Sequence, residues 1–117
     1  MSNLKQIIVM RKDLNMRRGK QIAQGAHASL KATLENLEHP DVKEWLSGRF
    51  TKIAVSVDSY EELMEVVKKA DEAGIVTSVI MDAGLTEFGG VPTVTCAAVG
   101  PASSEKLEPV TGSLKLL

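Results

Sequence analysis

Lys20, Gln24, His27 and Lys31 recur every three or four residues within or just beyond the run Met-Arg-Arg-Gly-Lys-Gln-Ile-Ala-Gln-Gly-Ala-His-Ala-Ser-Leu, residues 16–30. That spacing puts side chains on one face of a helix. A face made only for solvent needs no more than Lys and Glu. This one adds a carboxamide and an imidazole, set among Ala23, Gly25, Ala28 and Ser29, small enough for another backbone or a ligand to come close. Farther on, Asp82 and Thr86 open a Gly-containing stretch, residues 82–92, directly after an apolar run. A carboxylate, a fixed cation, a carboxamide and a hydroxyl suffice to hydrolyse an acyl bond with activated water. Asp82 or His27 would orient or deprotonate the water, and Lys20 with a hydroxyl or backbone N–H would stabilise the oxyanion. No serine sits in a nucleophile-elbow context, which disfavours a covalent acyl-enzyme on serine. Each residue alone also has an ordinary reading: a polar helix face, a hydrogen-bonded structural histidine, an aspartate capping its own loop.

The elements decide whether these side chains can meet. Residues 6–10 are an apolar run that predicts a first strand, and residues 11–15 a polar turn. Asp13 or Asn15 would then cap a helix beginning near Gly19. Ile22, Ala26, Leu30, Leu34 and Leu37 form an apolar stripe along that helix, expected to face the core. Glu38-His39-Pro40 breaks it and leaves His39 in a surface turn, after which residues 41–46 read as a short helix anchored by Trp45 and Leu46. Residues 51–58, rich in β-branched side chains, predict a second strand. Ser59-Tyr-Glu-Glu62 matches a capping box, and Leu63, Val66, Val67, Ala70 and Ala73 continue at helical period to a closing Gly74.

Residues 75–81 and 93–99 are nearly continuous apolar runs, as expected of strands covered on both faces. Ser103 or Ser104 would cap a last short helix that Pro109 should truncate. Strand–helix alternation predicts an α/β sheet with right-handed crossovers and helices on both faces, and the helix-free third-to-fourth connection predicts an antiparallel fourth strand. If the first three strands are parallel, the loops after strands one and three open on the same edge, where open α/β sheets bind ligands. Lys20, Gln24 and His27 would confront Asp82 and Thr86 across that crevice.

Composition narrows the function classes. With 117 residues, 44% of them hydrophobic, the chain reads as one domain, residues 1–117, with a core that needs no staples. Phe50, Phe88, Trp45 and Tyr60 are its only aromatics, few platforms for a module that reads single-stranded bases by stacking. The lone Cys96 excludes an internal disulfide and any cysteine-rich metal site, and its apolar neighbourhood reads as buried packing. No apolar run approaches membrane-spanning length, which fits a soluble, cytoplasmic protein without a membrane partner. The net charge of −1 is unevenly spread: Lys5, Arg11, Lys12, Arg17, Arg18 and Lys20 stand against Asp13 alone in residues 1–20. A basic cluster at a helix N-terminus, whose free N–H groups also attract anions, suits a phosphate-bearing ligand.

Together, Asp13-Leu14, Arg18-Gly19-Lys20, Ala23-Gln24, Ala26-His27-Ala28, Asp82-Ala83-Gly84, Thr86, Val99-Gly100-Pro101, Val110-Thr111-Gly112 and Leu114-Lys115-Leu116 resemble the peptidyl-tRNA hydrolases of the archaeal and eukaryotic type. The resemblance runs from Lys5 to Leu117, and the order and spacing of the fragments carry it. It implies a three-layer α/β/α sandwich on a four-stranded mixed sheet, no metal or organic cofactor, and a homodimer. The implied reaction is cleavage of the ester between a peptide and the 3′-ribose of tRNA, which returns the tRNA to use. The family's important positions fall on Lys20, Gln24, His27, Asp82, Thr86 and Thr95, with Arg17 and Arg18 in the basic start of the helix that would contact tRNA phosphates. Two departures stand out. Leu85 and Glu87 flank Thr86 where many members carry an arginine and a glutamine, and Gly25 stands where a bulkier apolar residue is common. Because a fold does not fix a function, a non-catalytic member that binds tRNA or a protein is the alternative, and a small-ligand regulatory domain a weaker third.

Overall fold

A computed structural model describes residues 3–85 and 87–117, so the expectation for Thr86 lies outside the described residues. In chain order the elements are β1 (Leu4–Arg11), α1 (Arg18–Leu34), α2 (Pro40–Leu46), β2 (Lys52–Val57), α3 (Tyr60–Glu72), β3 (Thr77–Asp82), β4 (Thr93–Ser103), α4 (Ser104–Thr111) and β5 (Lys115–Leu116). The strands form one mixed sheet in the order β3-β4-β1-β2-β5. β1 runs parallel to β2. β4 is antiparallel to both β1 and β3, as the missing crossover helix predicts, so β1, β2 and β3 share one direction. The sheet has five strands rather than the expected four, because residues 115–116 pair antiparallel with Val55 and Ser56. Two residues are too few to show a strand period.

Alternation along the strands divides the core. Ile7, Val9, Val55, Val57, Ala97 and Val99 pack with Leu63, Val66, Val67 and Ala70 of α3 and Leu107 and Val110 of α4. Met10, Ile80, Cys96 and Ala98 pack with Ala28 and Ala32 of α1 and Val42 of α2. Ser59 caps α3, its Oγ accepting from the Glu62 N–H at 3.0 Å, and the helix buries four of the five apolar positions named for it, Leu63, Val66, Val67 and Ala70, while Ala73, at the C-cap, is exposed.

The apolar stripe of α1 does not face the core. Ile22, Leu30, Leu34 and Leu37 are 67%, 59%, 57% and 45% exposed, and Ala26 is exposed with them. The helix instead buries Gln24, Gly25, Ala28, Ser29, Ala32 and Thr33. This side of the helix is built of small residues that the sheet packs against: even a Cβ on Gly25 would only come into ordinary contact, 3.6 Å from Ile8 Cγ2 and 3.7 Å from the end of Met10. The sheet therefore takes the small side of the helix and leaves the large aliphatic side outward.

Other boundaries shift for local reasons. Arg17 is the N-cap of α1, with no side-chain cap bond, in place of Asp13 or Asn15. His39 is half-buried rather than a surface residue, because its Nδ1 accepts from the Asp41 N–H at 3.1 Å and caps α2, which starts at Pro40. β4 continues past residue 99 through a cis Gly100-Pro101 bond to Ser103. Gly100 is required there: its φ is +100°, and a Cβ would sit 2.8 Å from the Lys5 carbonyl oxygen. Ser103 caps α4, and Pro109 lies inside that helix rather than ending it. Among the described residues no helix is long and apolar enough to cross a membrane.

Candidate active site

β1 and β3 point the same way, so the turn before α1 and the loop leaving β3 emerge at one edge. There the first turns of α1 meet the end of β3. Lys20 Nζ lies 2.9 Å from Asp82 Oδ1, with both side chains 15% exposed. Gln24, one helical turn on, donates from Nε2 to the same oxygen at 3.3 Å. The Gly84 N–H donates to Asp82 Oδ2 at 2.8 Å. Gly84 can do this because its φ is +83°; a Cβ there would collide with the Val91 backbone, 2.1 Å from its carbonyl oxygen. Three donors on one carboxylate favour its charged form. The hydrogen bond from Lys20 is the largest influence on Asp82, followed by that from Gly84; against desolvation, and helped by the charges of Lys20 and His27, they hold the carboxyl below its ordinary 3.8.

β4 supplies the floor. Thr95, fully buried, donates its hydroxyl proton to Gln24 Oε1 at 2.5 Å. That bond fixes which end of the amide is the acceptor and aims Nε2 at Asp82. The Cys96 thiol donates to the Gln24 carbonyl oxygen at 3.3 Å, tying the α1 backbone to β4. Burial pushes that thiol up to about 11, in keeping with a packing residue. Thr95, Gln24, Asp82 and Lys20 thus form a continuous hydrogen-bonded chain across β4, α1 and β3.

The remaining candidates are distributed unevenly. His27 is exposed on the same side of α1, near enough to Asp82 for its charge to be felt there. Arg17 is 88% exposed and pairs with Glu87 at 3.1 Å. Arg18 points to a different flank, where it lines an apolar groove together with Gln21 and Ile22. Arg11 does not belong to an available basic cluster. Its side chain is 13% exposed, and its guanidinium forks onto Asp13 at 3.2 and 2.6 Å and donates to the Val94 carbonyl oxygen at 3.0 Å. It clasps the turn after β1 to β4, one residue before Thr95, a role hidden in the sequence because the partner carbonyl belongs to a distant strand. Phe88, likewise not singled out from sequence, places its ring 5.8 Å from Lys20 Nζ, within reach of a cation–π contact. Among the described residues no three His, Cys, Asp or Glu side chains converge as metal ligands.

A positive charge held beside a negative one at a sheet edge, with an oriented amide next to them, can position a water and stabilise an oxyanion. The chain is 40% identical to a peptidyl-tRNA hydrolase of Methanothermobacter thermautotrophicus over 97% of its length and 100% of that protein. It is 45% identical to one from Nanoarchaeum equitans, covering 97% of this chain and 98% of the relative. For one from Aeropyrum pernix the identity is 46%, over 96% and 94%. A solved structure of a protein of unknown function from Agrobacterium tumefaciens matches the fold with a TM-score of 0.67 at 14% identity, covering 100% of this chain and 99% of that one. Residues 4–117 match the family model described as peptidyl-tRNA hydrolase PTH2, and the chain belongs to that family.

Proposed function

We propose that this protein hydrolyses the ester joining a peptide to the 3′-ribose of tRNA and so recycles stalled peptidyl-tRNA, with the Lys20–Asp82 pair at the centre of the reaction. The observation that carries this assignment of residues is the 2.9 Å contact between two side chains from distant parts of the chain, locked by Gln24 and Thr95. Water attacks the ester carbonyl, the oxyanion of the tetrahedral intermediate develops beside the Lys20 ammonium, and the ribose 3′-oxygen leaves with a proton. Asp82 serves better to hold Lys20 and orient the water than to take its proton, since a carboxyl lowered below the ordinary range is a weak base near neutral pH. His27, on the exposed side, is the residue to receive that proton and to return it to the departing ribose 3′-oxygen. Thr86 belongs to the same group by its position in the sequence, and Gln24 and Thr95 shape the floor on which the ester lies.

Arg17 and Arg18 contact tRNA phosphates, so binding weakens as salt rises. The three-layer α/β/α arrangement is supported by the division of the core into two clusters, and a cytoplasmic location by the substrate. A homodimer is supported by the outward face of α1. Ile22 and Leu30 border a groove of about 900 Å³ lined by Ile8, Gly25, Trp45, Phe50, Ala54 and Leu116. A ridge and a groove side by side on one face are what an isologous contact between two copies needs.

The test is a gel assay separating intact from cleaved peptidyl-tRNA. Lys20→Ala and Asp82→Ala, each shown to be folded, should lose more than about tenfold in turnover, a barrier increase above roughly 1.4 kcal/mol. Full activity in both variants would refute the assignment. Binding of peptidyl-tRNA by the wild-type protein without cleavage would favour the non-catalytic alternative.

A further inference from the structure

Glu87 reaches back from the loop after β3 to the start of α1, where its Oε1 lies 3.1 Å from Arg17 Nε. The two partners are in opposite surroundings. The Arg17 side chain is 88% exposed, whereas that of Glu87 is only 16% exposed. Its second oxygen, Oε2, is buried without a hydrogen-bond partner among the described residues. A carboxylate oxygen removed from water with no donor is held at a cost. The contact is an ion pair rather than the two-bond fork of which a guanidinium is capable, and on the arginine side it is screened by solvent. The pair is therefore easily broken. It also occupies the one arginine at the start of α1 that lies beside the Lys20–Asp82 site, since Arg18 points to the other flank.

We infer that Glu87 is an internal competitor for Arg17: it holds the guanidinium in the RNA-free protein and yields it when a phosphate of the substrate docks. This rests on the reading that Arg17 contacts tRNA phosphate. Glu87 thereby sets substrate affinity. Each docking phosphate must displace a carboxylate already in place or bind next to its charge, and that carboxylate returns to Arg17 when the tRNA leaves. The reacting groups are not altered, because Glu87 acts on the cation at the rim of the site and not on Lys20 or Asp82.

Binding of deacylated tRNA is measured at low and moderate salt for the wild type, Glu87→Gln, Arg17→Ala and the double variant, with thermal melts confirming that each is folded. Glu87→Ala serves as a second variant should Glu87→Gln fold poorly. Glu87→Gln is expected to tighten binding about two- to fivefold, the size of one screened charge contact, and the gain should vanish in the Arg17→Ala background. Unchanged or weaker binding in Glu87→Gln overturns the inference, as does an equal gain with and without Arg17, which would reduce Glu87 to general repulsion. If Arg17→Ala alone binds tRNA as tightly as the wild type, the reading that Arg17 contacts RNA fails first and takes the inference with it. A loss in Arg17→Ala with no change in Glu87→Gln defeats the inference alone.

Discussion

Replacing Thr95 by valine tests whether the site is an oriented network or a loose collection of polar groups. Valine nearly conserves the volume and β-branching of threonine at a fully buried position, so packing against Gln24 and Cys96 survives. What is lost is the hydroxyl that donates to Gln24 Oε1 at 2.5 Å. Gln24 is only 3% exposed, so no water replaces that donor. A buried acceptor left unsatisfied costs about 1–3 kcal/mol. In a domain of this size that corresponds to a fall in Tm of roughly 4–12 °C. The amide can limit the loss by turning over, but it then presents an oxygen to the Asp82 carboxylate in place of the Nε2 donor now 3.3 Å from it. Either outcome disturbs the carboxylate that holds Lys20. Misplacing a reacting group by about an ångström costs on the order of tenfold to a hundredfold in rate. Thr95→Val should therefore lower kcat by about that factor, measured by single-turnover cleavage of peptidyl-tRNA beside a thermal melt. Thr95→Ser, which keeps the hydroxyl, should recover most of the rate. Wild-type activity in Thr95→Val, or equal damage in Thr95→Ser, would refute the network.

Three further outcomes follow from the same geometry. Because Asp82 has its carboxyl lowered below the ordinary 3.8 in the folded state, it contributes stability that is present above that value and lost as pH falls through the folded value; pH-dependent melts should show Asp82→Asn less stable than the wild type at neutral pH, with the gap narrowing below about pH 4. A Cβ on Gly25 would meet Ile8 and Met10 at ordinary contact distance, so Gly25→Ala should be neutral or more stable by up to about 1 kcal/mol in denaturant titrations, the gain coming from helix propensity. Leu30→Glu charges the outward face of α1, where Leu30 is 59% exposed, and should convert a dimer to a folded monomer in sedimentation velocity; a monomeric wild type would overturn the dimer reading.

Local patterns in the sequence were enough for most of the elements. The capping box at Ser59, the helical period through Ala70 and the β-branched run of the second strand are short-range signals, and they appear where short-range physics places them. That Lys20 and Asp82 come together was legible too, because parallel first and third strands leave their loops on one edge whatever the side chains between them are. Sequence spacing alone could not say which face of α1 the sheet would take. Periodicity identifies a large aliphatic stripe but carries no information on which face a neighbouring element covers, and here the sheet packs on the small face of Gly25, Ala28 and Ala32 and leaves Ile22, Leu30 and Leu34 outside. The same holds for the fates of the cations. Arg11, Arg17, Arg18 and Lys20 are equivalent as charges in a short run of sequence. Only the fold assigns them a carbonyl of β4, the carboxylate of Glu87, an apolar groove and Asp82, respectively. A residue's chemistry is written in its side chain, but its partner is decided by contacts between segments that the chain brings together from far apart.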